Sequence, residues 1–284
     1  MIHKMKRKIE SKTNKKKILL NYQYELFPFT TASYIEMAIL RRDDLILLRR
    51  DDLPFHTPDY IINIEPIPYC VQVRGVPSCY WEIDNHVIMG NDIHFYANTD
   101  IVLLAQKFFA PHYEQFKTEW VPLAADPTVH KNYDDEEIKY QIGLIGNGTY
   151  PERRKLLNKL ATKYKVLTGE AKPGEEYSRK LNSCEIVFNR SMNADVNMRV
   201  FEALSCGRLL ITDIIPTQDE LFEEGVHYVG YKNGTELMEK VDYYLKNPEK
   251  ASKIALEGQK HVHLNHNYDI RLCQIIKILD SIPK

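Results

Sequence analysis

The sequence predicts an α/β protein made of two Rossmann-like domains that face each other across a cleft. Short runs of branched aliphatic and aromatic residues alternate with amphipathic stretches along most of the chain, which is the pattern of strands and helices in parallel sheets. Residues 124–139 interrupt the alternation. They contain Pro127, Asn132 and an acidic run but few large apolar side chains, which indicates a linker. A length of 284 residues also favours two domains over one.

Residues 17–125 are expected to form the first domain, with strands where short apolar runs end at polar turn residues. A helix is expected to open at Phe29–Ser33 and to run through Leu40, and a short helix is expected at Pro111–Phe116. The predicted strands are Lys17–Tyr22, Leu45–Leu48, Tyr60–Ile64, Cys79–Ile83, Asp100–Gln106 and Thr118–Leu123.

Residues 140–265 restart the alternation and are expected to form the second domain, which residues 266–284 follow as a last helical segment. Pro151 suits the first turn of a helix, where its missing N–H costs nothing. The predicted strands are Tyr140–Ile145, Tyr164–Thr168, Glu185–Asn189, Arg208–Thr212 and His227–Tyr231. The predicted helices are Pro151–Thr162, Pro173–Asn182, Asn197–Cys206, Thr235–Leu245, Pro248–Val262 and Tyr268–Leu279.

Composition and charge argue against several classes of protein. With 44% hydrophobic residues the chain can bury a large core, and its formal charge of −1 is not that of a polycationic nucleic-acid binder. No apolar run reaches the roughly 18 residues that a membrane span needs, and no signal-peptide core follows the basic N-terminus. Five cysteines without a C-x-x-C pair indicate reduced thiols in a cytoplasmic protein.

The small net charge conceals a basic N-terminal tail. Residues 1–17 hold eight basic residues against the single acid Glu10, a net charge of +7 that leaves −8 for the rest of the chain. Residues 1–16 are expected to form a flexible tail that is either solvated or in contact with anionic lipid headgroups or an anionic polymer. The second alternative places the protein at the inner face of a membrane.

A glycine-rich turn follows the first predicted strand of the second domain, in the segment GLIGNGTYPERR at residues 143–154. Ligands of doubly wound sheets bind at the carboxyl ends of strands, where glycines allow close approach and helix N-termini attract anions. The turn has neither the Walker A nor the G-x-G-x-x-G pattern, so an ordinary turn with a solvated arginine pair stays open. The expected anion-binding residues are Gly146, Asn147, Gly148, Arg153 and Arg154.

A second polar segment, residues 189–204, runs from a predicted strand through a loop into a helix. Glu202 lies among the apolar residues of that helix, and a carboxylate buried there needs hydrogen-bond donors. A sugar diol offers two hydroxyl donors to one carboxylate. The alternative is an ion pair with Arg199, three residues earlier on the same helix face.

Two residues of the first domain are candidates for acid–base chemistry. Asp84 and His86 follow the predicted strand at Cys79–Ile83 and are expected at the edge of the cleft, where a proton acceptor or a hydroxyl-binding group is useful. A purely structural aspartate turn is an equal alternative.

The histidine-rich segment near the C-terminus does not predict a metal site. His261 and His263 would lie on different faces of a helix, and no carboxylate or cysteine accompanies them at ligand spacing. We therefore expect neither a metal ion nor another cofactor.

The segment DVNMRVFEALSCGRLLITD at residues 195–213 resembles the CgeB-like, spore-maturation-type glycosyltransferases, which have the GT-B fold. The resemblance covers roughly residues 17–280. Further similar segments, in the order of the family, are Thr30–Ile39, Ser78–His86, Trp120–His130, Gly143–Leu157 and His266–Arg271.

The resemblance implies transfer of a sugar from a nucleotide-diphosphate donor to a glycan, a lipid-linked or a protein acceptor, without a metal ion. The second domain would hold the donor and the first the acceptor, and the helix from Tyr268 would cross back to the first domain. Glu202 matches the glutamate that grips the ribose hydroxyls, and the glycine turn with Arg153 or Arg154 matches the diphosphate segment. The remaining donor-binding candidates that the resemblance implies are Asn189, Ser191, Asp195, Asn197 and Arg199.

One position departs from the pattern. Many related retaining enzymes carry a second glutamate eight residues before the first, but that position here is Ala194, with Asp195 next to it. This substitution leaves open a degenerate GT-B protein that binds a glycan or a sugar nucleotide without turnover. A nucleotide-sugar epimerase on the same fold is a third, less favoured alternative.

Overall fold

A computed structural model describes residues 15–23, 30–88, 90 and 93–283. It contains two parallel sheets of six and five strands, which confirms the predicted α/β class. Most of the predicted basic tail, residues 1–14, lies outside the described residues, as does Phe29 at the predicted start of the first helix. Lys16 is not part of the tail, because it begins the first strand.

The first sheet has the order β2-β1-β3-β4-β5-β6, and every neighbouring pair is parallel. Its strands and helices, in chain order, are β1 Lys16–Asn21, α1 Thr31–Leu40, β2 Leu45–Leu48, β3 Tyr60–Ile64, β4 Ser78–Glu82, α2 Asn85–Ile88, α3 Ile93–Tyr96, β5 Ile101–Leu104 and β6 Thr118–Trp120. The short helices α2 and α3 were not predicted.

The second sheet has the order β11-β10-β9-β7-β8 and is also parallel throughout. Its elements are β7 Tyr140–Ile145, α4 Pro151–Ala161, β8 Val166–Gly169, α5 Glu175–Asn182, β9 Cys184–Phe188, α6 Met198–Ser205, β10 Leu209–Asp213, β11 Val229–Tyr231, α7 Gly234–Lys246 and α8 Pro248–Asn265. The final helix is α9, Tyr268–Asp280.

Some predicted boundaries are wrong. The helix expected at Pro111–Phe116 is a 3₁₀ segment at Lys107–Tyr113 that contains Pro111, whose missing N–H and ring disfavour a regular α-helix. The strands expected to end at Gln106 and Leu123 end earlier, at Leu104 and Trp120. Both runs stay buried beyond the last ladder pair, so their hydrophobicity alone did not mark where strand pairing stops.

Inner strands such as β3, β4 and β10 are buried on both faces, as in sheets covered by helices on both sides, whereas the edge strands β2, β6 and β8 are partly exposed. In β10, alternate residues serve opposite layers: Leu210 packs with Phe201 and Val262, whereas Leu209 and Ile211 belong to a second cluster. This two-residue alternation is the pleat of the strand. The core of the second sheet therefore consists of two apolar layers, one on each face.

Helix α9 packs against α1 and into the core of the first sheet. Leu272, Ile275 and Leu279 are fully buried within that apolar cluster. Burial of such side chains contributes roughly 1.5–3 kcal/mol each, so this contact is a substantial part of the link between the end of the chain and the first sheet. Among the described residues, no helix combines the length and apolar character needed to span a bilayer.

An ion-pair cluster joins α1, the linker and α9. Arg41, at the end of α1, donates to the Asp126 carboxylate at 2.8 Å and to Asp269 at 2.9 Å. Asp126 is fully buried, and burial of a carboxylate is tolerated only where donors surround it. The linker therefore has a defined path over the end of α1.

A buried histidine closes the α8–α9 junction. The His266 Nδ1 atom accepts a hydrogen bond from the Arg271 guanidinium at 2.8 Å, and Nε2 lies 3.1 Å from the Leu221 carbonyl. Burial, aided by the charge of Arg271 and by neighbouring His261, lowers the pKa of His266 to about 3. The ring is therefore neutral in the folded protein, where Nε2–H can donate to the carbonyl.

We expect His266 to make stability depend on pH. The unfolded chain takes up a proton at this ring near pH 6.5 and the folded chain only near pH 3, so folding loses about 1.4 kcal/mol per pH unit as the pH falls between these values. Urea unfolding of the wild type and of His266→Gln at pH 7, 6 and 5 measures this. The free energy of unfolding of the variant should fall less steeply with falling pH than that of the wild type, by about one proton. Equal slopes would contradict a neutral His266 in the folded protein.

Candidate functional site

The carboxyl ends of the two sheets meet at a cleft with a volume of about 540 Å³. The first domain contributes Tyr34 from α1 and the segment around α2, and the second contributes the loops after β7, β8 and β9. The predicted site residues that line this cleft are Asp84, His86, Gly146, Asn147, Arg153, Asp195, Asn197, Arg199 and Glu202. Sequence reasoning therefore selected residues from both walls of one cavity.

The glycine turn after β7 is shaped by Gly146, whose φ of +115° is a left-handed conformation that favours glycine. A Cβ atom at Gly146 would lie 2.6 Å from a terminal nitrogen of Arg199. The backbone of the turn and this guanidinium therefore approach each other closely, which places a cation directly beside the glycine.

Two arginines bring positive charge into the cleft, and no carboxylate of the described residues lies within ion-pair distance of either, although Asp195 and Asp213 attract Arg153 from farther away. Arg153 donates to the carbonyls of Asn147 and Arg190, and Arg199 donates to the Ile145 carbonyl at 2.9 Å and to the Asn189 amide oxygen at 2.9 Å. Burial, with the nearby charge of Arg199, lowers the pKa of Arg153. Because neutral groups hold both cations in place, their charge remains available to an anionic ligand.

Glu202 projects from α6 into the same cleft and is only 7% exposed. One carboxylate oxygen accepts the Tyr177 hydroxyl at 2.7 Å, and the other lies 3.4 Å from Nε2 of His130. The alternative of a Glu202–Arg199 ion pair is not what the structure has, because Arg199 is directed to Ile145 and Asn189. The carboxylate thus accepts one hydrogen bond from Tyr177 and faces the His130 ring, and it shares the cleft with Arg153 and Arg199.

Asp195 and His86 face each other across the cleft. The Asp195 carboxylate accepts the backbone N–H of Met192 and lies 3.9 Å from Nε2 of His86. Burial raises the pKa of Asp195, and the interaction with His86 opposes this shift. Asn193 and Ala194 both have φ near +55°, and this left-handed pair directs the loop so that Asp195 reaches the cleft.

Asp84 lies on the exposed rim of the cleft, where its carbonyl accepts the backbone N–H groups of Val87 and Ile88 at the start of α2. Glu65 fixes this turn, since one of its oxygens accepts the N–H groups of Ile83 and Asp84. Burial raises the pKa of Glu65 to about 8, with the charge of Asp84 adding to the effect. The backbone of Asp84 thus shapes the start of α2, and its side chain is exposed to solvent at the cleft.

Four predicted residues do not line this cleft. Asn189 is buried behind it, where it orients Arg199 and donates to the Thr212 hydroxyl. Ser191 is bound to the Asp213 carboxylate through its backbone N–H. Gly148 and Arg154 instead line a neighbouring hollow on the outer side of the glycine turn, because α4 points Arg153 inward and the next residue outward.

Sequence reasoning missed three residues around Glu202. Tyr34, His130 and Tyr177 lie in α1, in the linker and in α5, far from the glutamate along the chain. A lone buried histidine or tyrosine gives no sequence signal distinct from a core residue. Tyr34 and His130 lie within family-like segments, Thr30–Ile39 and Trp120–His130, which is the one signal that marked them, and Tyr177 lies in no such segment.

Two facing Rossmann-like domains with a cleft at the carboxyl ends of both sheets define the GT-B fold. A family model described as glycosyl transferase-like matches residues 130–277, just over half of the chain. The chain belongs to this glycosyl transferase-like family, and it is a glycosyltransferase of the GT-B fold. Comparison with curated proteins finds no match.

Solved structures agree on the fold. HepE from Anabaena, solved in complex with UDP and glucose, has a TM-score of 0.65 and 13% identity over 94% of this chain and 100% of its own. AviGT4, a glycosyltransferase involved in avilamycin A biosynthesis, has a TM-score of 0.62 and 11% identity over 93% and 97%. Sucrose-phosphate synthase from Thermosynechococcus elongatus has a TM-score of 0.59 and 12% identity over 82% and 75%.

Alanine at Gly146 tests the shape of the turn. We expect Gly146→Ala to lower the free energy of unfolding by about 1–3 kcal/mol, because the backbone is left-handed and the new methyl group would displace Arg199. Urea unfolding measures this loss.

The neighbouring Gly148→Ala is the matched control for stability, since its Cβ meets Leu157 at 3.4 Å, an ordinary contact, and its φ is not positive. Equal losses of stability in the two variants would contradict the role given to Gly146.

Proposed function

We propose that the protein transfers a sugar from a nucleotide-diphosphate donor to a glycan, lipid-linked or protein acceptor, without a metal ion. The observation that supports this most is the composition of the cleft. One cavity is lined by a buried carboxylate, Glu202, and by two arginines, Arg153 and Arg199, that form no ion pair with any carboxylate in the described part of the chain. A ribose diol joined to a diphosphate has the complementary groups.

The donor is proposed to lie mainly on the second domain. Glu202 would accept hydrogen bonds from the ribose hydroxyls, and Gly146 with Arg153 and Arg199 would lie along the diphosphate. HepE, which has the same fold, has been solved with UDP and glucose, with UDP and with UDP-glucose, and this supports a nucleotide sugar as the ligand class. The CgeB-like branch of the family is part of the same proposal.

The arginines also give a reason for rate acceleration. When the glycosidic bond to the donor breaks, the nucleoside diphosphate gains negative charge, so cations that bind this charge more tightly in the transition state lower the barrier. Because Arg153 and Arg199 already provide unpaired positive charge, we propose that they replace a metal ion in this role.

The first-domain side of the cleft, together with Asp195 of the second domain, is proposed to bind the acceptor and the transferred sugar. Asp84 is exposed at the rim of the cleft, which suits a group that accepts a proton from an incoming hydroxyl. His86 and Asp195 lie deeper, 3.9 Å apart, and we propose that they contact hydroxyls of the donor sugar. Asp195 would then take the place of the glutamate that the family pattern has at position 194.

Glu202→Gln is the direct test of the donor site. Loss of the charged acceptor should weaken binding of UDP and of UDP-sugars about 10-fold or more, the loss expected for hydrogen bonds to a charged group, and titration calorimetry measures it. The same titration in EDTA should give an unchanged Kd, because no metal is needed.

Glu185→Gln is the matched control, since this exposed glutamate lies on β9 of the same domain and outside the cleft. An unchanged Kd for Glu202→Gln would reject the site. A Kd that weakens in EDTA would reject metal independence alone.

The basic tail is proposed to hold the enzyme at the cytoplasmic face of a membrane. Residues 1–14 carry five of the basic side chains, each worth roughly 1 kcal/mol near an anionic surface. Deletion should stop after residue 14, since the Lys16 ammonium pairs with Asp280 at 3.1 Å.

A variant without residues 1–14 should lose sedimentation with phosphatidylglycerol-containing vesicles but keep its activity on a soluble acceptor. Glutamine at the five basic positions keeps the length of the tail and should behave like the deletion. If the wild type and both variants sediment equally, the membrane contact is rejected and the alternative of a solvated tail is accepted.

A further inference from the structure

His130 lies in the linker between the two sheets and is fully buried. Its Nε2 atom lies 3.4 Å from a carboxylate oxygen of Glu202 and 3.2 Å from the Tyr34 hydroxyl. We propose that His130 is a positioning residue that holds the Glu202 carboxylate in the orientation that receives the two hydroxyls of a nucleotide ribose. This inference deepens the donor-binding role proposed for Glu202 and rests on it.

The other ring nitrogen fixes the tautomer of His130. Nδ1 accepts the backbone N–H of Asp126 at 3.1 Å, so the neutral ring carries its proton on Nε2. Burial lowers the pKa of His130, which keeps the ring neutral at physiological pH. The Nε2–H group therefore has two acceptors within reach: the Tyr34 hydroxyl at 3.2 Å, which meets hydrogen-bond geometry, and the Glu202 carboxylate at 3.4 Å, whose charge makes it the stronger acceptor.

The ring is fixed from behind by a network that includes both domains. The Asp126 carboxylate accepts hydrogen bonds from the backbone and hydroxyl of Thr128 and from Arg41 at the end of α1. The His130 carbonyl accepts the hydroxyl of Ser205 from α6. With backbone and ring both restrained, the direction of Nε2–H is set before any ligand binds.

The two side-chain contacts of the carboxylate leave it suited to a diol. Tyr177 donates to one Glu202 oxygen at 2.7 Å, and His130 faces the other. Each carboxylate oxygen has two lone-pair sites, so one site on each oxygen remains for a ligand hydroxyl. Without His130 the carboxylate keeps its charge but loses one of the two contacts that fix its rotation.

Removal of the ribose hydroxyls separates this role from a general structural one. Calorimetry gives the Kd of UDP and of 2′,3′-dideoxy-UDP for the wild type and for His130→Phe. The variant should bind UDP about 10-fold more weakly, the loss expected for one hydrogen bond to a charged acceptor. Its Kd for dideoxy-UDP should change less than 2-fold, because this ligand has no diol for Glu202 to hold.

Glutamine at position 130 is the conservative variant, since its amide NH₂ can occupy the place of Nε2–H. His130→Gln should recover UDP binding to within about 3-fold of the wild type, whereas His130→Asn, whose shorter amide stays near Asp126, should resemble His130→Phe. The asparagine variant also replaces the phenylalanine variant where the latter does not fold.

Three outcomes decide the inference. Equal weakening of both ligands in His130→Phe or His130→Asn would indicate a structural role and overturn it, and so would a folded His130→Gln that binds UDP no better than these variants. In a parallel titration, Glu202→Gln should abolish the preference for UDP over its dideoxy analogue. If it does so while His130→Asn leaves that preference intact, only the inference fails; if Glu202→Gln leaves the preference unchanged, the proposed function of the site fails.

Discussion

The candidate site depends on one constraint: the buried Glu202 carboxylate must receive hydrogen bonds from the protein. Water has little access to it, and an unsatisfied carboxylate in such a position is costly. The Tyr177 hydroxyl from α5 donates to one Glu202 oxygen, and Nε2 of His130 from the linker lies 3.4 Å from the other. Because Asp126 and Arg41 hold the linker on α1, the geometry of the donor wall is tied to the position of the first domain.

A second consequence concerns charge. The chain outside residues 1–17 has a net charge of −8, so the diphosphate of the proposed donor needs positive charge close to its binding site. Arg153 and Arg199 provide this because their donors are directed to carbonyl and amide oxygens. Carboxylate partners would have cancelled the same two cations. In the surface ion pairs of the protein, such as that of Lys163 with Asp242, a carboxylate neutralises the cation. Such pairs therefore attract an anionic ligand little.

The alternation of apolar runs and amphipathic stretches was sufficient to predict the fold class, most strands and the long helices, because burial on both faces makes parallel strands hydrophobic throughout. It was insufficient for boundaries. The runs at Asp100–Gln106 and Thr118–Leu123 stay buried after ladder pairing has stopped, and Pro111 changed the type of the helix that contains it. Local composition does not record where a neighbouring strand ends.

For the candidate site, the sequence by itself determined which residue types follow strands at the carboxyl edge of each sheet. That order predicted Gly146, Arg153 and Glu202 for one site, and the three line a single cavity. Only the tertiary structure decided the partners. It directed Arg199 away from Glu202, placed Arg154 outside the cleft, and brought Tyr34, His130 and Tyr177 to the carboxylate. The physical reason is that a hydrogen bond between elements distant along the chain depends on how helices and sheets pack, and no local pattern encodes that packing.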